Sequence, residues 1–530
     1  MKNDLVSYTS FILIVPLVLS AFTHLWNPIG FPTFHVDEGH YMRRAMQVLR
    51  GLGPQEPTSS YVFSYDHPYF GQLFLAGALN IIGYPDSLAS KSGDIHSIKM
   101  LYLAPRVLMG LLAIIDTFLI YKIAERRYNQ NIAFMASILF AVMPIGWMTR
   151  GIFLESILLP LLLSSILFAL YTDKSRTFKD GFRNNKNIMI LISGIFFGLA
   201  VFTKAPIFIM IPLPAMLIIK YNRNNFKTAA FLWFCPVILI PLLWPSYAAG
   251  TGHIAEWLDG VIYQLERESN NTLYNSITLL SKIDPVMLLL GVSGFIYTQL
   301  KRDYFLTAWV IPYFVFLNFI GWVTHFHWIV LLPPLCIAAG VLFEDISSRF
   351  ISNKKNTNVS RLAIISTLTI FGLVMTTSII TLDLNSSYLQ IYAYTINELK
   401  DHVQANYGKN NHQTNNEFTI IGGQRAKALT WIPQYVIDIN FLFKDTDNPK
   451  DNFTSPTMSS GKVLFIVDSN VRSGWISCLP CNEKGSRLHN IYYDGDTVAT
   501  FINMQYDIYD FINGDANHGL GRFVEIKANY

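Results

Sequence analysis

The sequence predicts a polytopic α-helical membrane protein with about 11 transmembrane helices and a C-terminal α/β domain outside the membrane. Three observations carry that expectation. The 530 residues are 51% hydrophobic and only 14% charged, with a mean hydropathy of +0.32, where a soluble domain carries about 25% charge. The apolar residues gather into runs close to the ~20 residues that cross a bilayer. The basic residues cluster in every second loop between those runs, as the positive-inside rule requires of a multi-pass chain. The net charge of +4 is small and its basic residues occur in short clusters, so no nucleic-acid surface is expected.

Taken in order, the expected spans are 7–26, 103–124, 130–149, 153–171, 187–203, 206–220, 228–246, 285–300, 305–323, 328–343 and 362–382. The first run has no small-residue cleavage site and is expected to stay as a membrane helix. The run 69–83, "YFGQLFLAGALNIIG", is too short to cross and is expected to lie at the interface. One set of loops carries Lys122, Arg126 and Arg127; Lys174 to Lys186; Lys220, Arg223 and Lys227; Lys301 and Arg302; and Arg349 to Arg361. That set is expected in the cytoplasm. The other set holds 27–102, turns near Arg150, Lys204 and His325, the segment 247–284, and everything after 383.

These features predict a membrane domain over 1–384, with the outer loop 27–102 in it, and a soluble extracytoplasmic domain over 385–530. The tail is rich in Asn, Asp, Gly and Tyr and contains short strand-like runs, "GKVLFIVDS" and "FTIIGG". Asn270, Asn385 and Asn452 open N-x-S/T sequons on the outer side. Cys478 and Cys481 in "CLPC" lack a second cysteine pair for zinc, and a structural disulfide is the expected state on an oxidising face. Cys235 and Cys336 fall within spans and are expected to pack there.

Charged groups at helix ends are costly near hydrocarbon and mark candidate sites. Five such places share the outer side: Asp37 and Glu38 in "HVDEGHY", Asp66 and His67 before Pro68, Arg150 with Glu155 in "TRGIFLES", Lys204 in "FTKAP", and His325 and His327 in "THFHW". Each also has a plain structural reading. The acidic pair can cap a helix, Asp66 and His67 can form a turn, Arg150 can snorkel with Glu155 as its partner, Lys204 can be an interfacial lysine, and the histidines can sit beside aromatics at the interface. Convergence separates the readings. A carboxylate can serve as base toward a hydroxyl, and Arg and Lys can hold a phosphate while negative charge grows on it. A phosphate leaves without a general acid, unlike the two-carboxyl arrangement of glycoside hydrolysis. A lipid-linked sugar phosphate joins these requirements to a membrane.

The motif order resembles the GT-C membrane glycosyltransferases of the dolichyl-phosphate-mannose-protein mannosyltransferase and aminoarabinose transferase type. "VDEGHY" is similar to that family's acidic motif in the first outer loop, and "DHPYFGQL" to its later His-Pro element. "LAPRVLMGLLA" echoes the second-helix pattern, "MTRGIFLESILLPLL" and "GLAVFTKAPIFIMIP" resemble two further stretches, and "HWIVLLPPLCIAAG" resembles the late Leu-Pro-rich helix. The likeness covers 1–345; His327–Trp328 stands where the family often has an Arg before its Tyr.

The resemblance implies transfer of a sugar, with inversion, from a polyprenyl (dolichyl-type) phosphate to a hydroxyl of a protein, lipid or glycan acceptor on the extracytoplasmic face. Asp37 is then the general base, and Glu38 orients the acceptor or tunes Asp37 through the repulsion of adjacent carboxylates. Arg150 and Lys204 contact the donor phosphate or support it directly, with His67 and Asp66 completing the pocket. Glu155 is expected to anchor Arg150, and His327 to support the site. Fixed cations replace a metal in this family, so neither metal nor cofactor is expected. An oligosaccharyltransferase of the same broad fold is the nearest alternative; "DGD" occurs at 494–496 but Trp-Trp-Asp does not. A transporter suits intramembrane charges too, but no internal repeat is visible.

Overall fold

A computed structural model describes residues 2–29, 32, 34–54, 65–88, 95–173, 186–267, 272–351 and 365–374. Beyond these it describes 393, 396–397, 400, 418–422, 428–437, 441–445, 462–467, 488–493, 496–502 and 522–526. The three sequons at Asn270, Asn385 and Asn452, together with Cys478 and Cys481, lie outside the described residues. Cys235 and Cys336 are free thiols, and Cys336 is buried.

The helices follow the apolar runs: α1 (Lys2–Leu25), α2 (Val36–Leu49), α3 (Phe70–Asn80), α4 (Ile95–Arg127), α5 (Gln130–Val142), α6 (Leu154–Tyr171), α7 (Lys186–Thr203), α8 (Pro212–Tyr221) and α9 (Phe226–Leu239). They continue as α10 (Leu243–Gly250), α11 (Ile254–Glu266), α12 (Leu273–Ile283), α13 (Pro285–Leu300), α14 (Tyr304–Phe319), α15 (Leu332–Ile351), α16 (Ile365–Val374) and α17 (Trp431–Val436). Among the described residues five helical stretches are long and apolar enough to cross a membrane, or seven if each of two bent pairs is one span. Four shorter apolar helices accompany them: Ile12–Leu25, Ala205–Tyr221, Tyr304–Phe319 and Ile365–Val374.

The breaks have local causes. Expected span 130–149 is one of the bent pairs: α5 stops at Val142, and Pro144 opens a 3-10 turn over Pro144–Arg150 at 69° to it. Met143, the residue before proline, is extended at ψ 137°, as the proline ring demands. The α12–α13 pair bends by 116° at Asp284. There the Asp284 carboxylate accepts the Met287 N–H at 2.8 Å ahead of Pro285, a proline that needs no helical donor. Expected span 206–220 likewise opens with a 3-10 turn over Ala205–Met210 before α8.

The chain forms two compact units that are discontinuous in sequence: Met1–Pro32, Phe63–Phe74 and Arg106–Leu382 in one; Thr33–Val62, Leu75–Pro105 and Asp383–Tyr530 in the other. The first unit is a helical bundle in which polar groups are spent between helices. Trp233 Nε1 donates to Ser193 Oγ at 3.1 Å, and Ser193 Oγ donates to the Ser165 carbonyl at 2.8 Å, tying α9, α7 and α6. Gly194 and Gly198 let α9 come close to α7; a Cβ at either would meet a main-chain oxygen, of Trp233 at 2.5 Å or of Pro236 at 2.6 Å. Asp303 caps α14 and holds Arg127 at 3.1 Å and the Tyr128 hydroxyl at 2.6 Å.

The second unit contains α2, α17 and six strands: β1 (Phe418–Gly422), β2 (Phe441–Asp445), β3 (Lys462–Val467), β4 (Leu488–Tyr493), β5 (Asp496–Ile502) and β6 (Arg522–Ile526). One sheet has the order β2-β1-β3-β6, with β1 parallel to β2 and β3 and with β6 antiparallel to β3. β4 and β5 form a separate antiparallel pair.

Candidate functional site

The expected site residues divide between the two units. In the first, α6 opens at Leu154, so Glu155 stands in its first turn, and α7 ends at Thr203, so Lys204 follows its last turn. The Lys204 ammonium donates to Glu155 Oε1 at 2.5 Å, with the Glu155 side chain 1% and the Lys204 side chain 11% exposed. His327 Nε2 lies 3.9 Å from the same oxygen. Its Nδ1 accepts the Thr324 N–H at 3.1 Å, which leaves the ring proton on Nε2, facing the carboxylate. Lys204 also sits over the Phe326 ring, 5.3 Å from its centre. An ammonium has three N–H donors. The Glu155 bond uses one, and no second hydrogen-bond partner of this ammonium is found among the described residues.

The expectation that Glu155 anchors Arg150 is corrected: its partners are Lys204 and His327. Arg150 is fully buried at the end of the 3-10 turn and stacks on Trp147 at 4.9 Å. Its guanidinium donates to the carbonyls of Thr23 at 3.3 Å and of Asn27, both at the end of α1. The Thr23 carbonyl belongs to the set that any helix leaves unpaired at its C-terminus, Asn27 lies just beyond that end, and one planar cation satisfies both.

The loop before α3 is brought to the same place. Tyr69 packs edge-on to Phe202 at 4.9 Å and to Tyr247 at 5.2 Å, and its hydroxyl donates to the Leu243 carbonyl at 2.8 Å. Burial pushes the Tyr69 phenol up to about 12, so it remains a donor at neutral pH. A Cβ on Gly71 would come to 2.4 Å of Leu154 Cδ2 and 3.3 Å of Thr203 Cγ2. The start of α3, directly after that loop, therefore abuts the neighbours of both Glu155 and Lys204. Asp66 and His67 lie on it, 4.0 Å apart and both largely buried.

A further cation, absent from the sequence-based set, is Arg267, which follows α11. Its guanidinium stacks 3.9 Å from the centre of the Trp322 ring, and Trp322 meets His327 edge-on at 5.6 Å. Among the described residues no carboxylate pairs with Arg267. No motif flagged it; its signal is an aromatic partner 55 residues on, and only the fold supplies that.

In the second unit the acidic pair opens α2 as a capping box. His35 is the N-cap, and its backbone N–H donates to Glu38 Oε1 at 3.0 Å. Its Nδ1 accepts the Asp37 N–H at 3.3 Å. A ring nitrogen that accepts carries no proton, so the 3.7 Å approach of His35 Nδ1 to Asp37 Oδ1 is not an ion pair. Glu38 is fully buried, whereas the Asp37 side chain is 23% exposed and takes no part in the cap. The two neighbouring acids thus differ in environment. Among the described residues no group of three or more His, Cys, Asp or Glu is placed to hold a metal ion.

Residues 99–246 match the family described as dolichyl-phosphate-mannose-protein mannosyltransferase. No curated protein matches the chain in sequence. In structure it is similar to ArnT from Cupriavidus metallidurans. The ArnT structure bound to undecaprenyl phosphate is 11% identical with a TM-score of 0.54, over 99% of this chain and 98% of that one. The apo ArnT structure gives 11% and 0.55, over 92% and 96%. It is also similar to the oligosaccharyltransferase AglB from Archaeoglobus fulgidus in complex with an inhibitory peptide and a dolichol-phosphate, 12% identical with a TM-score of 0.53, over 87% of this chain and 69% of that one. In another structure of an Archaeoglobus fulgidus oligosaccharyltransferase, tethered with an acceptor peptide, the chain spans 64% of that protein's length. The chain is a membrane protein with the GT-C glycosyltransferase fold, as the motif order led one to expect.

Proposed function

We propose that this protein transfers a sugar from a polyprenyl phosphate to an acceptor hydroxyl on the extracytoplasmic face of the membrane, inverting the anomeric carbon. The observation that carries the reading is the cation arrangement around Lys204. Glu155 offsets the charge of Lys204 and fixes its position, two N–H donors of Lys204 have no partner among the described residues, and Arg267, with no carboxylate paired to it among those residues, adds a positive charge near His327. A polyprenyl-phosphate sugar is a phosphodiester with one negative charge, and its leaving group is a phosphate monoester of about −1.5 to −2. Lys204 and Arg267 bind the first and stabilise the second, which is a stronger interaction in the transition state than in the ground state.

Asp37 is the base. Its carboxylate takes the proton of the acceptor O–H, the oxygen forms a bond to the anomeric carbon, and the carbon–phosphate-oxygen bond breaks with its electron pair going to the phosphate. Glu38, buried in the capping box, orients the helix that carries Asp37. Asp66 and His67 line the donor side, and His327 holds Glu155 and Lys204 in register. Arg150 supports the site by tying the end of α1 to the 3-10 turn before α6.

Likeness to structures holding undecaprenyl phosphate and dolichol-phosphate supports the donor class. The five long helices, the two bent pairs and the four shorter apolar helices make eleven membrane spans in this reading. The segment after 385 is then an extracytoplasmic α/β domain.

The test is release of polyprenyl phosphate and appearance of a glycosylated acceptor, followed with purified protein in lipid nanodiscs and a panel of polyprenyl-phosphate sugars. The wild type should turn over at least one donor and Asp37→Asn none, although both insert and fold. Turnover by Asp37→Asn near the wild-type rate sinks the base; inertness of the wild type toward every donor sinks the reaction.

A further inference from the structure

Asp37 lies in the first turn of α2, and the rest of that helix is gripped by a segment almost 400 residues away in sequence, within the same unit. The backbone at Gly39 lies against Ala428; a Cβ there would come to 2.5 Å of the Ala428 carbonyl oxygen and 2.8 Å of its carbon. One turn further on, Arg43 Nη1 donates to the Thr430 hydroxyl. Gly39 and Arg43 are four residues apart and share one face of the helix. At 3.6 residues per turn, Asp37 stands roughly 120–160° around the helix from that face. The gripped face is the back of the helix and the carboxylate is on its front, consistent with its partial exposure.

The gripping segment is itself held firmly. Ala428, Leu429, Trp431 and Ile432 are all buried. Trp431 Nε1 donates to the Tyr84 hydroxyl at 3.2 Å, which in turn donates to the Leu101 carbonyl at 2.8 Å. Tyr435 donates to Asp86 Oδ1 at 2.6 Å.

We propose that residues 428–436 are a positioning clamp for the acidic helix, with Gly39 and the Arg43–Thr430 bond setting where Asp37 stands. The inference rests on reading Asp37 as the base. It gives the region after 385 a part in the reaction without assigning it any substrate contact: Thr430 and Gly39 are positioning residues that act through Asp37.

Restoring an ordinary contact of about 3.4 Å from 2.5 Å in Gly39→Ala displaces α2 and the clamp by about 0.9 Å, and misplacement on that scale costs on the order of 100-fold in rate. Thr430→Val keeps the shape and removes the hydroxyl; Thr430→Ser keeps the hydroxyl. The experiment measures kcat and donor KM for the three variants in nanodiscs, with hydrogen exchange of residues 36–49. Gly39→Ala and Thr430→Val should lower kcat at least tenfold with donor KM within about twofold, because the donor contacts belong to Lys204 and Arg267. Thr430→Val should speed exchange of α2, and Thr430→Ser should behave as wild type. If Gly39→Ala does not fold, the two Thr430 variants decide. An active wild type with kcat unmoved in Thr430→Val, or with Thr430→Ser as impaired as Thr430→Val, overturns the clamp alone. A wild type inert toward every polyprenyl-phosphate sugar overturns the function on which it rests.

Discussion

Replacing Glu155 by Met should destabilise the protein more than replacing both Glu155 and Lys204 by Met. At 2.5 Å and an effective dielectric constant of 20, the pair's attraction is about 7 kcal/mol. Taking the two charges out of water costs several kcal/mol for each. Glu155 Oε2 is buried with no hydrogen-bond partner among the described residues, so its desolvation is poorly offset. The pair therefore contributes little net stability, yet each half depends on the other. Glu155→Met or Lys204→Met alone strands a buried charge and should cost roughly 3–5 kcal/mol, whereas the double replacement should fall within about 2 kcal/mol of wild type. Denaturant unfolding in mixed micelles, followed by tryptophan fluorescence across the four proteins, measures the coupling. The double variant should be stable and unable to bind donor, which separates the fold from the phosphate role. Single costs that simply add in the double variant, or single variants as stable as wild type, would refute the pairing.

Three further outcomes follow from the same geometry. Arg267→Ala should raise donor KM about tenfold or more, and Arg267→Lys should recover only part of the loss, because an ammonium cannot reproduce the planar stack on Trp322; initial-rate kinetics against donor concentration decide this. Arg150→Lys should destabilise the protein by about 1–3 kcal/mol, because the buried Thr23 carbonyl and the half-buried Asn27 carbonyl lose a forked donor; unfolding in micelles reads it. Glu38→Ala should cost about 1 kcal/mol through the lost cap while Glu38→Gln keeps both stability and turnover, in contrast to Asp37→Asn; parallel melting and transfer assays check it.

The acidic pair shows how far local sequence reaches. "HVDEGHY" announces a helix start through spacing alone, because Glu38 stands three residues after His35 and a capping box needs nothing distant. Which of the two acids the cap consumes is also local, but it becomes visible only when the hydrogen bonds are drawn. Pro144 and Asp284 likewise mark breaks by chain chemistry, although the expected run 130–149 read straight through the first of them. Lys204 and Glu155 were each conspicuous as charges at the ends of apolar runs. Their pairing was not, because 49 residues separate them and the nearer cation, Arg150, invited the wrong match.

What the sequence determined by itself is therefore what neighbours along the chain decide: apolar runs long enough to be helices, the caps and prolines that bound them, and polar residues too costly to place at their ends without use. The tertiary structure decided the partners. It gave Glu155 to Lys204, spent Arg150 on the carbonyls at the end of α1, set Arg267 on Trp322, and joined the helix of Asp37 to residues 428–430. The physical reason is that capping and helix periodicity act over a few residues, whereas a buried charge takes whichever counter-charge or carbonyl the packing of distant segments leaves beside it.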